Sequence, residues 1–323
     1  MIPGLLFLII IFALILIKAA DMTIVAIRRI ARDSKIGIFT ISSIILALGT
    51  SFPELFVGVT SAIEASPNLS FGVVIGSNIA NIALIGGVSA LFTGRVLIRG
   101  DYLKRDVWIA FLAGISPVLL IADGTLGRVD GLILLSVYMA YATGFFKKRF
   151  EEIGKEQQEE GFVYRFLRRF NHIESRKTKE FSRLFTGIAL LLFSADVIVK
   201  LSTTLAEQAK IPLFLIGLFV IAIGTSLPEF AFSIRTLTDR EPSMFFGNIL
   251  GSIVANSTLI VGITSIIHPI QIQAFDLYLT SAIFFVLIFL TFWFFIRTKH
   301  RLDRWEALAL LILYFAFFIV EFV

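Results

Sequence analysis

Apolar runs of roughly 18 or more residues recur along this chain, and runs of that length need lipid as their solvent. A chain built this way must satisfy its backbone polar groups internally, which leaves helices as the spanning structure. Only 16% of the 323 residues are charged, against about 25% in a soluble domain. A soluble enzyme, a nucleic-acid module and a disordered tail are thereby excluded. The absence of cysteine excludes disulfide scaffolds, thiol catalysis and cysteine-ligated metals, and three histidines leave little for a zinc or copper site. The first run, Ile2 to Ala20, continues to Ile27 and carries no small-residue cleavage site after a short core. It reads as a retained helix rather than a signal peptide.

Hydropathy places ten spans near 2–28, 36–64, 69–94, 105–121, 128–146, 182–206, 211–238, 242–267, 274–297 and 302–322. The expected fold is an all-α membrane protein. Of 29 basic residues, 25 fall in the loops that follow spans 1, 3, 5, 7 and 9, while the alternate loops hold only Arg128 and Lys210. By the positive-inside rule the basic loops are cytoplasmic and both termini lie outside a cell membrane. The net charge of +5 thus orients helices and signals no nucleic-acid partner. The longest polar stretch, 147–183, reads as a cytoplasmic linker between halves. A second reading lays it on the leaflet as an amphipathic helix with Phe162, Phe166 and Phe170 down.

One fixed offset relates the halves. Residues 20–64 align with 195–239 at a shift of 175, pairing Asp21 with Asp196, Gly49-Thr50-Ser51 with Gly224-Thr225-Ser226, and Pro53-Glu54 with Pro228-Glu229. The shift continues without a gap, pairing Gly76-Ser77 with Gly251-Ser252 and Ala80-Asn81 with Ala255-Asn256. Five spans separate the copies. Five is odd, so the second copy enters the membrane from the opposite side. The chain therefore reads as two inverted five-helix repeats, 1–146 and 182–323, joined by the linker 147–181. Such repeats bind their substrate near the midplane on interrupted helices.

Glu54 and Glu229 lie within apolar spans, where a carboxylate costs about 2.5 kcal/mol or more unless paired or neutralised. No Lys or Arg is near either in sequence. Equivalent places in inverted repeats bring the two face to face, and facing carboxylates repel. A cation or protons between them would resolve both problems. Thr50 and Thr225 stand four residues before these glutamates, on the same helix face. Pro53 and Pro228 cannot donate to the carbonyls of Gly49 and Gly224, so each Gly-Thr-Ser-X-Pro-Glu segment should break or kink its helix and free carbonyl oxygens, with Ala47 and Ala222 as candidate donors to an ion. Ser77 and Asn81 share a face, as do Ser252 and Asn256. Asn78 adds a polar group whose equivalent is Ile253. Carboxylate, hydroxyl, amide and carbonyl oxygens suit a hard cation such as Ca²⁺, Na⁺ or Mg²⁺. A single hydroxyl within a span often only bonds the carbonyl four residues back. Two symmetry-related buried glutamates have no such explanation. Asp21 and Asp196 stand near Lys18 and Lys200 and read as structural.

GTSFPEL at 49–55 and GTSLPEF at 224–230, each followed by a Gly-Ser helix, resemble the paired repeats of the calcium/cation antiporter superfamily, with archaeal and bacterial sodium/calcium exchangers nearest by motif. The resemblance implies ion exchange by alternating access. Spans 2, 3, 7 and 8 would form the ion-holding core, and spans 1 and 6 a sliding gate. It implies that Glu54 and Glu229 share Ca²⁺. Thr50, Ser51, Thr225, Ser226, Ser77 and Ser252 and the carbonyls of Ala47 and Ala222 would coordinate alongside, and Asn81 and Asn256 would close the ring. Sodium/calcium exchangers of this type usually carry Asp where this chain has Asn256. Two carboxylates hold one Ca²⁺, two Na⁺ or two protons. The motif favours Na⁺ as counter-ion, and the missing third carboxylate tips the balance to H⁺. A resident cofactor is not expected, nor an enzymatic activity, and the chain is expected to work as a monomer in the bilayer. A channel would need a continuous hydrophilic path, and an intramembrane acid–base enzyme would need a watered site. The apolar flanks of the glutamates supply neither.

Overall fold

The computed structural model describes residues 2–33, 50–94, 96–97, 102–156, 177–238, 242–272, 275–299 and 301–322. The helices are α1 (Ile2–Asp33), α2 (Phe52–Ile63), α3 (67–93), α4 (Tyr102–Leu120), α5 (Arg128–Glu156), α6 (Lys177–Ala209), α7 (213–238), α8 (242–267), α9 (Phe275–Lys299) and α10 (Arg304–Phe322). Among the described residues, eight helices are long and apolar enough to cross a membrane, and Phe52–Ile63 is a shorter apolar helix. The expected first half of the second span, 36–49, lies outside the described residues.

Three helices outrun their hydropathy limits. The sequence placed ends at 28 and 146 and a start at 182, whereas α1 runs to Asp33, α5 to Glu156 and α6 starts at Lys177. Hydropathy stops where charge begins. The backbone does not, because Lys, Arg and Glu are good helix formers in water. Part of the expected linker 147–181 is therefore helical. The proposed leaflet-lying stretch around Phe162, Phe166 and Phe170 lies outside the described residues.

The reading anticipated no strands, yet four two-residue strands tie loops together. β1 (Val96–Leu97) pairs antiparallel with β4 (Arg301–Leu302), and β2 (Thr125–Leu126) with β3 (Ile270–Gln271). These pairs hold the α3–α4 loop against the α9–α10 loop, and the α4–α5 loop against the α8–α9 loop. Each pair therefore joins loops that the Lys/Arg distribution assigns to one membrane side. Adding 175 to β1 lands on β3, and adding it to β2 lands on β4, within one residue.

Burial separates a centre from a periphery. Within an 18-residue apolar stretch of Pro67–Thr93 and of Met244–Ile267, 89% and 78% of residues are buried, against 22% and 33% in Ile2–Ala26 and Glu180–Ala209. α3 reaches the centre because its glycines admit backbone: a Cβ on Gly72 would strike the Phe214 carbonyl of α7, and one on Gly76 would strike the Leu218 carbonyl and the Ala222 methyl. Small residues four apart are the usual device for close helix approach in lipid. Outside this centre α1 and α6 pack on one another, with Ile9, Leu16 and Ala20 among Leu191, Ala195 and Ile198, and the same cluster reaches Val57, Leu69 and Ile216 of α2, α3 and α7. α1 and α6 run antiparallel. Phe12 meets Phe193 at one end, and at the other Arg29 of α1 and Arg183 both reach the buried Glu180, at 2.8 and 3.0 Å.

Candidate functional site

In the second copy the Gly-Thr-Ser-X-Pro-Glu segment interrupts its helix, and in the first a helix opens directly after Ser51. Ser51 caps α2 with φ −86° and ψ 10°, and Ser226 interrupts α7 with φ −84° and ψ 4°. Such bridge-region backbone is sparsely populated and common at functional sites. In each copy a new helix starts one residue later. Its first bonds match at the offset of 175: Leu55 N–H to the Ser51 carbonyl at 3.0 Å, and Phe230 N–H to the Ser226 carbonyl at 3.1 Å. Pro53 and Pro228 occupy the opening positions of these helices, where a missing N–H costs nothing. Glu54 and Glu229 therefore sit in first turns, at helix N-termini whose dipoles favour negative charge. Proline chemistry predicted the break. The glutamates' place in the positive end of a half-helix is its consequence.

Both carboxyl groups are sealed from solvent, Glu54 at 0% and Glu229 at 1% exposure. They lie within electrostatic reach of one another. Among the described residues no basic side chain acts on either. Glu54 Oε1 accepts hydrogen bonds from Ser77 Oγ at 3.3 Å and Ser226 Oγ at 3.4 Å, and Ser226 Oγ also reaches Ser77 Oγ at 3.1 Å. One glutamate of the first half is thus held by hydroxyls from both halves. Glu54 Oε2 and both oxygens of Glu229 have no hydrogen-bond partner.

The remaining expected residues stand in different conditions. Ser51 Oγ, Ser252 Oγ, both amide atoms of Asn81 and the Asn256 oxygen are buried without partners. Thr225 faces Glu54, but its hydroxyl bonds the Ile221 carbonyl four residues back at 3.1 Å. Thr50 faces Glu229, and its hydroxyl donates to Asn248 Oδ1 at 3.3 Å. The Ala222 carbonyl is engaged, accepting from the Ser226 N–H at 3.1 Å and the Thr225 hydroxyl at 3.4 Å. Ala47 lies outside the described residues. Lys200 bonds Asp196 at 2.8 Å, and Lys18 acts on Asp21. Neither aspartate joins the cluster.

Buried polar atoms without partners are rare in folded proteins, and each costs about 1–3 kcal/mol. Eight such atoms belong to Ser51, Glu54, Asn81, Glu229, Ser252 and Asn256, and others lie elsewhere in the fold. Among the described residues no group of three or more His, Cys, Asp and Glu forms a metal cluster.

Sequence reasoning missed three features. α3 and α8 each carry a π-helical turn, Ala80–Ile85 and Ala255–Ile260, at the same offset of 175. Each places its asparagine, Asn81 or Asn256, second in the turn. Inserted turns of this kind are frequent at functional sites, and no residue propensity announces them. Asn248 was overlooked, although 248, 252 and 256 form a polar row at helical spacing that hydropathy alone does not weigh. A third is the partnership of Asn78 with Ser257, whose Oγ accepts from Asn78 Nδ2 at 2.7 Å.

An all-helical membrane protein with paired intramembrane carboxylates is the class that this fold and site define. The family described as Sodium/calcium exchanger protein matches residues 4–147 and again 180–323. The sodium/calcium exchanger MaX1 of Methanosarcina acetivorans is 28% identical over 98% of each chain, and the inner membrane protein YrbG of Escherichia coli is 28% identical over 82% of this chain and 81% of its own. Among solved structures, the sodium-calcium exchanger NCX_Mj matches with a TM-score of 0.61 at 24% identity over 97% of both chains. The H⁺/Ca²⁺ exchanger CAX matches with a TM-score of 0.74 at 18% identity over 98% of this chain and 82% of that one. At these identities the structural matches establish fold. The chain belongs to the sodium/calcium exchanger family, within the calcium/cation antiporter superfamily.

Proposed function

We propose that the chain is a secondary active antiporter that exchanges Ca²⁺ for H⁺, with Glu54 and Glu229 as the shared ion ligands. The observation that carries this reading is the buried, mutually repelling glutamate pair with three of its four oxygens unpartnered. One Ca²⁺ neutralises the pair, and so do two protons, so the two loads compete for one charge balance. Ser51, Ser77, Ser226 and Ser252 and the amides of Asn81 and Asn256 complete the shell, with Thr50, Thr225 and the carbonyls of Ala47 and Ala222 around it. Na⁺ is the second reading. The Gly-Thr-Ser-X-Pro-Glu motif and the name of MaX1 favour it. The site contains two carboxylates where a third Na⁺ would call for another.

The architecture proposed is ten transmembrane helices in two inverted five-helix repeats, 1–146 and 182–323. The offset of 175 in sequence, helix breaks, π turns and loop strands supports it, as does one family matching each half separately. Both termini are placed outside the cell membrane and the 147–181 linker in the cytoplasm. The peripheral α1–α6 layer suits a gate moving across a buried core.

Radioactive Ca²⁺ uptake into proteoliposomes, measured with an outward H⁺ gradient alone and then an outward Na⁺ gradient alone, tests the reading. Uptake driven by H⁺ supports it. Uptake driven only by Na⁺ transfers the proposal to the second reading, and uptake under neither overturns both.

A further inference from the structure

The two central asparagines occupy equivalent positions in the repeats but stand in different surroundings. Neither amide atom of Asn81 has a hydrogen-bond partner. Asn256 Nδ2 donates to Asn78 Oδ1 at 3.2 Å, and Asn78 Nδ2 donates to Ser257 Oγ at 2.7 Å. All three residues of this chain of hydrogen bonds are buried. Sequence explains why only one half has it: the counterpart of Asn78 is Ile253, and the counterpart of Ser257 is Ile82. Beyond the brace lies a small cavity that Asn78 and Ser257 share with the apolar side chains of Phe71, Val74, Pro117 and Phe285. That wall offers the Asn78 amide no competing partner.

An asparagine amide presents a donor at one end and an acceptor at the other, and only the acceptor can ligate a cation. With its nitrogen tied to Asn78, Asn256 points its unpartnered oxygen elsewhere. Asn78 is adjacent in sequence to Ser77, which bonds Glu54. The brace is therefore anchored on α3 one residue along from a glutamate contact. We propose that Asn78, itself held by Ser257, is a positioning residue that fixes the Asn256 amide with its oxygen toward the cation site. Asn256 is then the preorganised amide ligand, and Asn81 the one that must turn when an ion arrives. This proposal rests on the cation-site reading above.

When the ion is bound, the brace also keeps the Asn256 nitrogen hydrogen-bonded. Without it a buried donor is orphaned in the loaded state, an effect of about tenfold in affinity. The test is Ca²⁺ titration calorimetry on the purified full chain, together with the Ca²⁺ half-saturation and maximal rate of uptake. Asn78→Leu should weaken Ca²⁺ about tenfold while changing the maximal rate little. In an Asn256→Ala background the same substitution should add nothing, because its route is gone. Ser257→Ala, a smaller change, should weaken Ca²⁺ two- to threefold, and Ser257→Thr, which keeps the hydroxyl and has the adjoining cavity for its methyl, should restore it. Unchanged Ca²⁺ affinity in Asn78→Leu and Ser257→Ala overturns the proposal. So does an equal loss with and without Asn256, since that marks mere packing. A wild-type protein that binds no Ca²⁺ overturns the underlying site reading as well.

Discussion

Replacing Glu229 by Gln removes one of the two charges while keeping size and shape. Glu229 is 1% exposed and neither of its oxygens has a hydrogen-bond partner, so among the described residues little beyond the dipole of its half-helix offsets its charge. Taking one member from a set of buried, mutually compensating charges costs about 3–5 kcal/mol. At 1.36 kcal/mol per decade that is a loss of roughly 150- to 5,000-fold in Ca²⁺ affinity. Calorimetry on the purified protein reads this directly, and thermal unfolding gives an independent readout. Ca²⁺ at 100 times the wild-type Kd stabilises the wild type by about 2.7 kcal/mol, whereas a 150-fold weaker variant gains only about 0.3 kcal/mol at that concentration. The variant should then show almost no Ca²⁺-induced shift in Tm, and no uptake into proteoliposomes. A Glu229→Gln protein whose Ca²⁺ affinity stays within threefold of wild type would refute the shared-carboxylate reasoning.

Two further outcomes follow from packing. Gly76→Ala places a methyl against the Leu218 carbonyl, which as backbone cannot yield cheaply; a loss at or above about 3 kcal/mol is expected, read as a lower Tm and lost uptake, with Gly4→Ala, where nothing lies within 4 Å, as an unaffected control. Glu180→Ala leaves Arg29 and Arg183 without their shared carboxylate at one end of the α1–α6 layer; a loss of about 1.5–3 kcal/mol in thermal stability is expected, and an unchanged Tm would show that the ion pairs do not fasten the layer.

What was legible in the sequence is what depends on local chemistry or on large costs. A carboxylate inside an apolar span is expensive enough to be noticed without any structure, and Glu54 and Glu229 were found that way. Proline at the second position after Thr-Ser foretold the helix starts just after Ser51 and Ser226. The offset of 175 required only self-comparison. What escaped depends on neighbours brought together by folding. Asn248 receives the Thr50 hydroxyl, and Asn78 joins Ser257 and Asn256, across nearly 180 residues of chain. The π turns at Ala80 and Ala255 arise from packing and leave no pattern in composition. Thr225 combines both roles that its sequence allowed: its hydroxyl donates to the Ile221 carbonyl, and it faces Glu54.

The central claim is that two glutamates set the charge of the exchanged load. Two charges in and two out move no net charge across the membrane. The direct measurement is the steady-state Ca²⁺ accumulation of proteoliposomes whose membrane potential is clamped with K⁺ and valinomycin, at zero and at 100 mV. The account predicts the same accumulation at both potentials. A cycle carrying one net charge would gain about 2.3 kcal/mol at 100 mV and change the accumulation ratio about fiftyfold, and that result would contradict it.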